Sequence, residues 1–130
     1  MQQGKPEDYV LATGITTSIR DFVKIAFGKV GIELEFKGAN AEETAIVATC
    51  YGEYNVPRGT TVVKIDTRYY RPTEVDLLIG DATKAKEKLG WTPVHTLDEL
   101  AQEMVAADVE LFKSEVLLKQ SGFKIRNQFE

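Results

Sequence analysis

The stretch Ser18-Ile19-Arg20-Asp21-Phe22-Val23-Lys24-Ile25-Ala26-Phe27-Gly28-Lys29-Val30-Gly31-Ile32-Glu33-Leu34-Glu35-Phe36 sets the fold class of this chain. Ile19, Phe22, Val23, Ala26, Phe27 and Val30 recur at helical spacing and make one apolar stripe. Ser18 stands three residues before Asp21, a weaker relative of the capping box, so the helix starts there. Gly31 supplies the stop. From Ile32 to Phe36 the period changes to two, apolar alternating with acidic, which describes a half-buried strand. A helix that turns directly into a strand gives an α/β chain.

Working outward, Asp8-Tyr9-Val10-Leu11-Ala12-Thr13-Gly14 is a short apolar run closed by glycine and is expected to be a strand. Residues 37–60 are the least patterned part, broken by Gly38, Gly52, Pro57 and Gly59, although Ala45 to Cys50 has the makings of a short strand. Thr61-Val62-Val63-Lys64-Ile65 is a clearer strand. Asp81 is placed to cap a helix over 82–89 that Gly90 ends. Thr96 and Glu99 form a capping box for a longer helix with Leu97, Leu100, Ala101, Met104, Val105, Ala107, Leu111 and Phe112 on its apolar face. Residues 1–130 read as one organisational unit, with 114–130 a tail of mixed character and uncertain order.

At 130 residues, 43% hydrophobic and 28% charged, the composition is that of an ordinary globular protein. A net charge of −4 argues against broad electrostatic binding to nucleic acid or to an anionic membrane. No run approaches the roughly 18 consecutive apolar residues of a membrane span. The first six residues have no apolar core of a secretory signal. The single cysteine, Cys50, makes no internal disulfide, which fits a reducing cytoplasm, and it reads as a small half-buried residue. His95 is a loop residue without a second histidine or cysteine at metal spacing, so no metal site is expected.

Two places carry candidate binding chemistry. Arg20 sits in the first turn of a helix, where free N–H groups and the dipole favour an anion. A solvated charge on an exposed helical face is the other reading of the same residue. The second place is Asp66-Thr67-Arg68-Tyr69-Tyr70-Arg71-Pro72-Thr73-Glu74-Val75-Asp76, where an apolar strand feeds two arginines around two tyrosines. A guanidinium is a planar fork suited to phosphate oxygens. In extended chain, Arg68 and Arg71 point to opposite faces, and Pro72 holds Arg71 extended. Arg68 is therefore left as a structural or rim charge. Glu74, read by itself, is an ion-pair partner for Arg71 or Arg68. Lys84 and Lys88 are expected to be solvated, and Leu89 and Trp91 to belong to the core.

These motifs, together with Gly80-Asp81-Ala82-Thr83-Lys84-Ala85-Lys86-Glu87-Lys88-Leu89-Gly90-Trp91, resemble the nucleotide-sugar-modifying short-chain dehydrogenases/reductases. Within them the GDP-mannose 4,6-dehydratase family is nearest. The resemblance runs from about Pro6 to about Phe112 and covers Ala12-Thr13-Gly14 with Ser18-Ile19-Arg20-Asp21-Phe22, and Arg71-Pro72-Thr73-Glu74-Val75-Asp76. It implies a C-terminal substrate-binding portion of an extended enzyme, with Met1 an internal methionine and the Rossmann NADP-binding half missing. It also implies that Arg20 and Arg71 contact the diphosphate of GDP-mannose and that Glu74 accepts from the ribose. The family's reaction turns GDP-mannose into GDP-4-keto-6-deoxy-mannose with NADP as cofactor, in the cytoplasm, in a homo-oligomer.

No glycine-rich dinucleotide turn stands between a strand and a helix in this sequence. Nor does any tyrosine have a lysine four residues on: those positions are Thr13, Asn55, Arg58, Thr73 and Glu74. No catalytic or cofactor-binding residue is therefore assigned to this chain. The alternative is a free-standing module that binds a nucleotide sugar or serves a structural role without turnover.

Overall fold

The computed structural model describes residues 4–71 and 78–123. The stretch that opened the sequence reading forms α1 (Ile19–Lys29) and β1 (Ile32–Lys37), and the elements after them are β2 (Thr44–Cys50), β3 (Thr61–Lys64), α2 (Thr83–Leu89) and α3 (Leu97–Gln120). The strands form one antiparallel sheet in the order β1-β2-β3. β1 alternates as its sequence dictates, with Ile32, Leu34 and Phe36 turned inward and Glu33, Glu35 and Lys37 outward. It pairs with β2 from Ile32 opposite Cys50 to Lys37 opposite Thr44, with a bulge at Glu33/Leu34. Residues 37–60 are therefore more ordered than their broken pattern suggests, since β2 fills the middle and a 3₁₀ turn, Asn40–Glu42, precedes it.

Glycine decides how α1 meets the sheet. Gly31 has φ +76, the left-handed conformation that ends the helix. Its carbonyl accepts the Tyr51 N–H at 2.8 Å and the Gly52 N–H at 3.3 Å, which ties the α1–β1 turn to the end of β2. The two glycines touch: a Cβ on Gly31 would stand 2.5 Å from Gly52 Cα, and one on Gly52 would stand 2.3 Å from the Val30 carbonyl oxygen. A side chain at either position would push the helix off the strand.

α1 packs on β1 and on α3. Lys29, near the end of α1, bonds Asp98 in the first turn of α3 at 2.6 Å, so each charge also complements the local helix dipole. The capping box is present as expected: Thr96 Oγ1 accepts the Glu99 N–H, and the Glu99 carboxylate accepts the Thr96 N–H. That hydrogen bond is the main reason the Glu99 carboxyl lies below its usual range. α3 continues past Ser114 to Gln120, so the first part of the expected tail is helical.

Three expectations are corrected. Residues 8–14 form no strand: the segment pairs with none of β1, β2 or β3, and Val10 and Leu11 are exposed. It lies instead against α2 and the residues before it. Lys84 Nζ bonds the Asp8 carbonyl at 2.9 Å and sits 4.9 Å from the Tyr9 ring. A Cβ on Gly80 would meet Ala12 Cβ at 2.5 Å. Lys84 and Lys88 are thus not merely solvated, because both reach the Glu7 carboxylate, at 3.1 and 2.9 Å. Finally, α2 begins one residue later than expected, with Ala82 at the cap, although Asp81 still accepts the Thr83 N–H at 2.9 Å.

The core is small. Among the described residues only Ile32, Ala45, Val47, Ala85 and Ala101 are buried hydrophobics, and Val47 is the largest fully buried side chain. Leu89 and Trp91 are half-buried at its margin. Ile19, first in the α1 stripe, is 80% exposed, so the face that packs begins at Phe22.

Candidate functional site

Arg20 extends from the first turn of α1 toward the sheet. Its Nη2 donates to the Glu43 carboxylate, and its guanidinium lies 5.5 Å from the centre of the Phe36 ring. Lys24, one turn further along α1, stands 5.6 Å from the same ring. One phenyl ring in β1 therefore carries two cations. Among the described residues, a single carboxylate, that of Glu43, is at ion-pair distance from them. The arrangement leaves one positive charge uncompensated, which is what an anion site requires.

The helix end itself is less open than the sequence suggested. Ser18 Oγ accepts the Asp21 N–H at 3.0 Å and donates to the Asp21 carboxylate at 2.6 Å. A carboxylate in the first turn already answers the helix dipole. Charge for an anion here comes from the Arg20 and Lys24 side chains more than from free backbone donors.

The arginine-rich segment divides. Arg68 is engaged by Asp66: its Nη2 bonds Oδ2 at 2.6 Å, its Nε lies 3.0–3.1 Å from both oxygens, and its own N–H reaches Oδ1 at 2.9 Å. The Tyr69 ring lies 5.5 Å from the same guanidinium, so Arg68 is tied into its own turn. The hydrogen bonds from Arg68 hold the Asp66 carboxyl below its usual range. Arg71 is exposed, and no ion pair engages it among the described residues. Glu74 lies outside the described residues.

The loop entering α1 and the chain after residue 77 meet, because Thr16 Oγ1 donates to the Leu78 carbonyl at 3.4 Å. Beside it, an open cavity of about 520 Å³ is lined by Thr13, Ile15, Thr17, Val94, His95 and Leu97, among others. His95 is exposed there and stands 3.9 Å from Glu99. Cys50 is half-buried at the end of β2, with its thiol against the Tyr54 carbonyl. Among the described residues no group of three metal-ligating side chains is present, and no helix is long and apolar enough to cross a membrane. Sequence reading missed Glu43 and Lys24, since neither belongs to a motif; Lys24 lies one turn from Arg20 on α1, whereas Glu43 comes near only once the chain before β2 lies against the helix.

Arg20 and Lys24 thus form a basic, ring-supported surface on an α/β scaffold. The family model for GDP-mannose 4,6 dehydratase matches residues 1–104. Relatives of that name include the protein from Yersinia enterocolitica, 44% identical over 96% of this chain, and the human protein, 46% identical over 88%. A third, from Sinorhizobium fredii, is 48% identical over 86%. The chain belongs to the GDP-mannose 4,6-dehydratase family. It spans about a third of the length of these relatives, 34%, 28% and 30% respectively.

Proposed function

We propose that this chain is the GDP-sugar-binding portion of a GDP-mannose 4,6-dehydratase. In this reading it clamps the nucleotide diphosphate while the chemistry is performed by the rest of the enzyme. Arg20 and Arg71 grip the diphosphate and Glu74 accepts from the ribose. The observation that carries this is the Thr16–Leu78 contact, which sets the head of α1, with Arg20, beside the chain that follows the Arg71–Glu74 motif. Family membership supports the ligand, and two cations held over Phe36 against one carboxylate support the charge it must carry.

The enzyme's reaction, loss of water from GDP-mannose with NADP as cofactor, is assigned to the whole protein, acting in the cytoplasm as a homo-oligomer. The residues described here do not fit NADP. The segment before α1 is not a strand, and Gly80, before α2, is filled by Ala12 rather than left open for a pyrophosphate. No step involving the cofactor is placed in this chain.

Calorimetric titration of the purified chain with GDP-mannose and with mannose tests the reading. Binding of GDP-mannose that Arg20→Ala weakens, with no response to mannose, is the expected result. A flat titration with GDP-mannose would overturn it. Conversion of GDP-mannose by this chain with added NADP⁺ would overturn the division of labour.

A further inference from the structure

Arg20 is the residue on which the proposed diphosphate grip most depends, and its side chain is long, flexible and 54% exposed. An arginine free to sample rotamers loses that freedom when it binds, and the loss weakens the ligand. Glu43 is the group that removes the freedom beforehand. It follows the 3₁₀ turn at Asn40–Glu42, immediately before β2, and only 19% of its side chain is exposed. It engages Nη2 alone, so Nε and Nη1 keep their donors. The Phe36 ring, 5.5 Å from the guanidinium, adds a second contact to the same side chain. Lys24, on the same ring, offsets the negative charge that Glu43 brings. An anion approaching Arg20 therefore meets an oriented fork in a locally positive setting.

We infer that Glu43 is a positioning residue, which holds the Arg20 guanidinium ready for the diphosphate of a nucleotide sugar. The inference rests on the proposed binding role of Arg20. It opposes the simpler electrostatic view, in which Glu43 neutralises Arg20 and competes with the phosphate. The two views give opposite signs. Removing a positioning carboxylate weakens binding, whereas removing a competitor strengthens it.

The test is a double-mutant cycle on the full chain, with GDP-mannose as the probe and calorimetry as the readout: Glu43→Gln, Arg20→Ala and the pair. Glu43→Gln is expected to weaken binding about two- to fivefold, the scale of a partly exposed ion pair. In the Arg20→Ala background it is expected to change nothing, an outcome that a general loss of folding could not produce. Glu43→Asp keeps the charge but shortens its reach, so positioning predicts weakened binding and competition predicts none; it also serves if Glu43→Gln fails to fold. Tighter or unchanged binding in Glu43→Gln, with Arg20→Ala weakened, would overturn the inference and leave the Arg20 assignment standing. Equal weakening in both backgrounds would overturn it too, since Glu43 would then act through the fold. An unaffected Arg20→Ala would overturn the assignment and the inference together.

Discussion

Gly31→Ala should be among the most damaging small substitutions in this chain, and the structure separates its causes. Two costs combine there. The left-handed φ of +76 costs an L-residue about 1–2 kcal/mol. The new methyl would also stand 2.5 Å from Gly52 Cα and N, backbone atoms that can yield only if the α1–β2 junction moves. Overpacking of that kind costs about 1–3 kcal/mol. The sum is about 2–5 kcal/mol, against a total stability of roughly 5–15 kcal/mol for an ordinary domain. The small core argues for the lower end of that range. Two further glycines isolate the contributions. Gly59 has φ +85 with nothing within 4 Å, so Gly59→Ala should cost the conformational part alone, about 1–2 kcal/mol. Gly28 lies within α1 and also faces open space, so Gly28→Ala should stabilise by about 0.5–1 kcal/mol. Urea denaturation followed by circular dichroism, on all three variants in one buffer, gives the comparison. The order Gly28→Ala, unmodified chain, Gly59→Ala, Gly31→Ala is required. If Gly31→Ala cost no more than Gly59→Ala, the contact between Gly31 and Gly52 would not be restraining the helix, and the account of how α1 is seated would be wrong.

Other outcomes follow from the site and the surface. In an enzyme carrying this chain, Arg71→Ala should weaken GDP-mannose binding by about 2–3 kcal/mol, and Arg71→Lys should recover only part because an ammonium lacks the fork. A lowered melting temperature with unchanged affinity would instead give Arg71 a structural role. The Glu7 carboxyl is held below its usual value first by the Lys88 hydrogen bond and then by that of Lys84. Its contribution to stability is therefore full above the ordinary carboxylate range and is lost as pH falls through the lowered folded value. Glu7→Gln should flatten that part of the stability–pH curve, and parallel curves would disprove the linkage. Along α3, Met104, Phe112, Val116 and Leu117 are each about half exposed or more, so the isolated chain should self-associate. Light scattering should show Leu117→Lys shifting it toward monomer, and a strictly monomeric unmodified chain would contradict the expectation.

Where local chemistry is self-sufficient, the sequence was readable. The period of α1, the alternation of β1, the Thr96–Glu99 box and the left-handed Gly31 and Gly90 each act within a few residues, and each stands where it was read. The run at residues 8–14 misled because apolar content describes a strand's appetite and not its partner. Paired with none of the described strands, that segment is held by side chains of α2 that lie far along the chain. Ion pairs of this type leave no period in the sequence, which is why Lys84 and Lys88 read as solvated.

The same limit applies to the site, with a consequence for how its residues are ranked. A motif reports which side chain can meet a phosphate, so Arg20 and Arg71 stood out in the sequence, with Arg68 left as a structural or rim charge. It does not report what each fork is already holding. Asp66 occupies Arg68 through both carboxylate oxygens, two residues away and on the same turn. Glu43 takes only one edge of Arg20 and comes from another element, 23 residues on. Asp66 takes the Nε and Nη2 edge of Arg68, while Glu43 takes Nη2 of Arg20 alone, so Arg20 keeps the larger share of its donors for a ligand. The difference between a rim charge and a binding residue thus lies in the partner and not in the arginine. On that ground Arg68→Ala should alter GDP-mannose affinity less than Arg20→Ala does. If the two losses proved equal in the same titration, the occupied fork would have to open on binding, and partner geometry would no longer rank these residues.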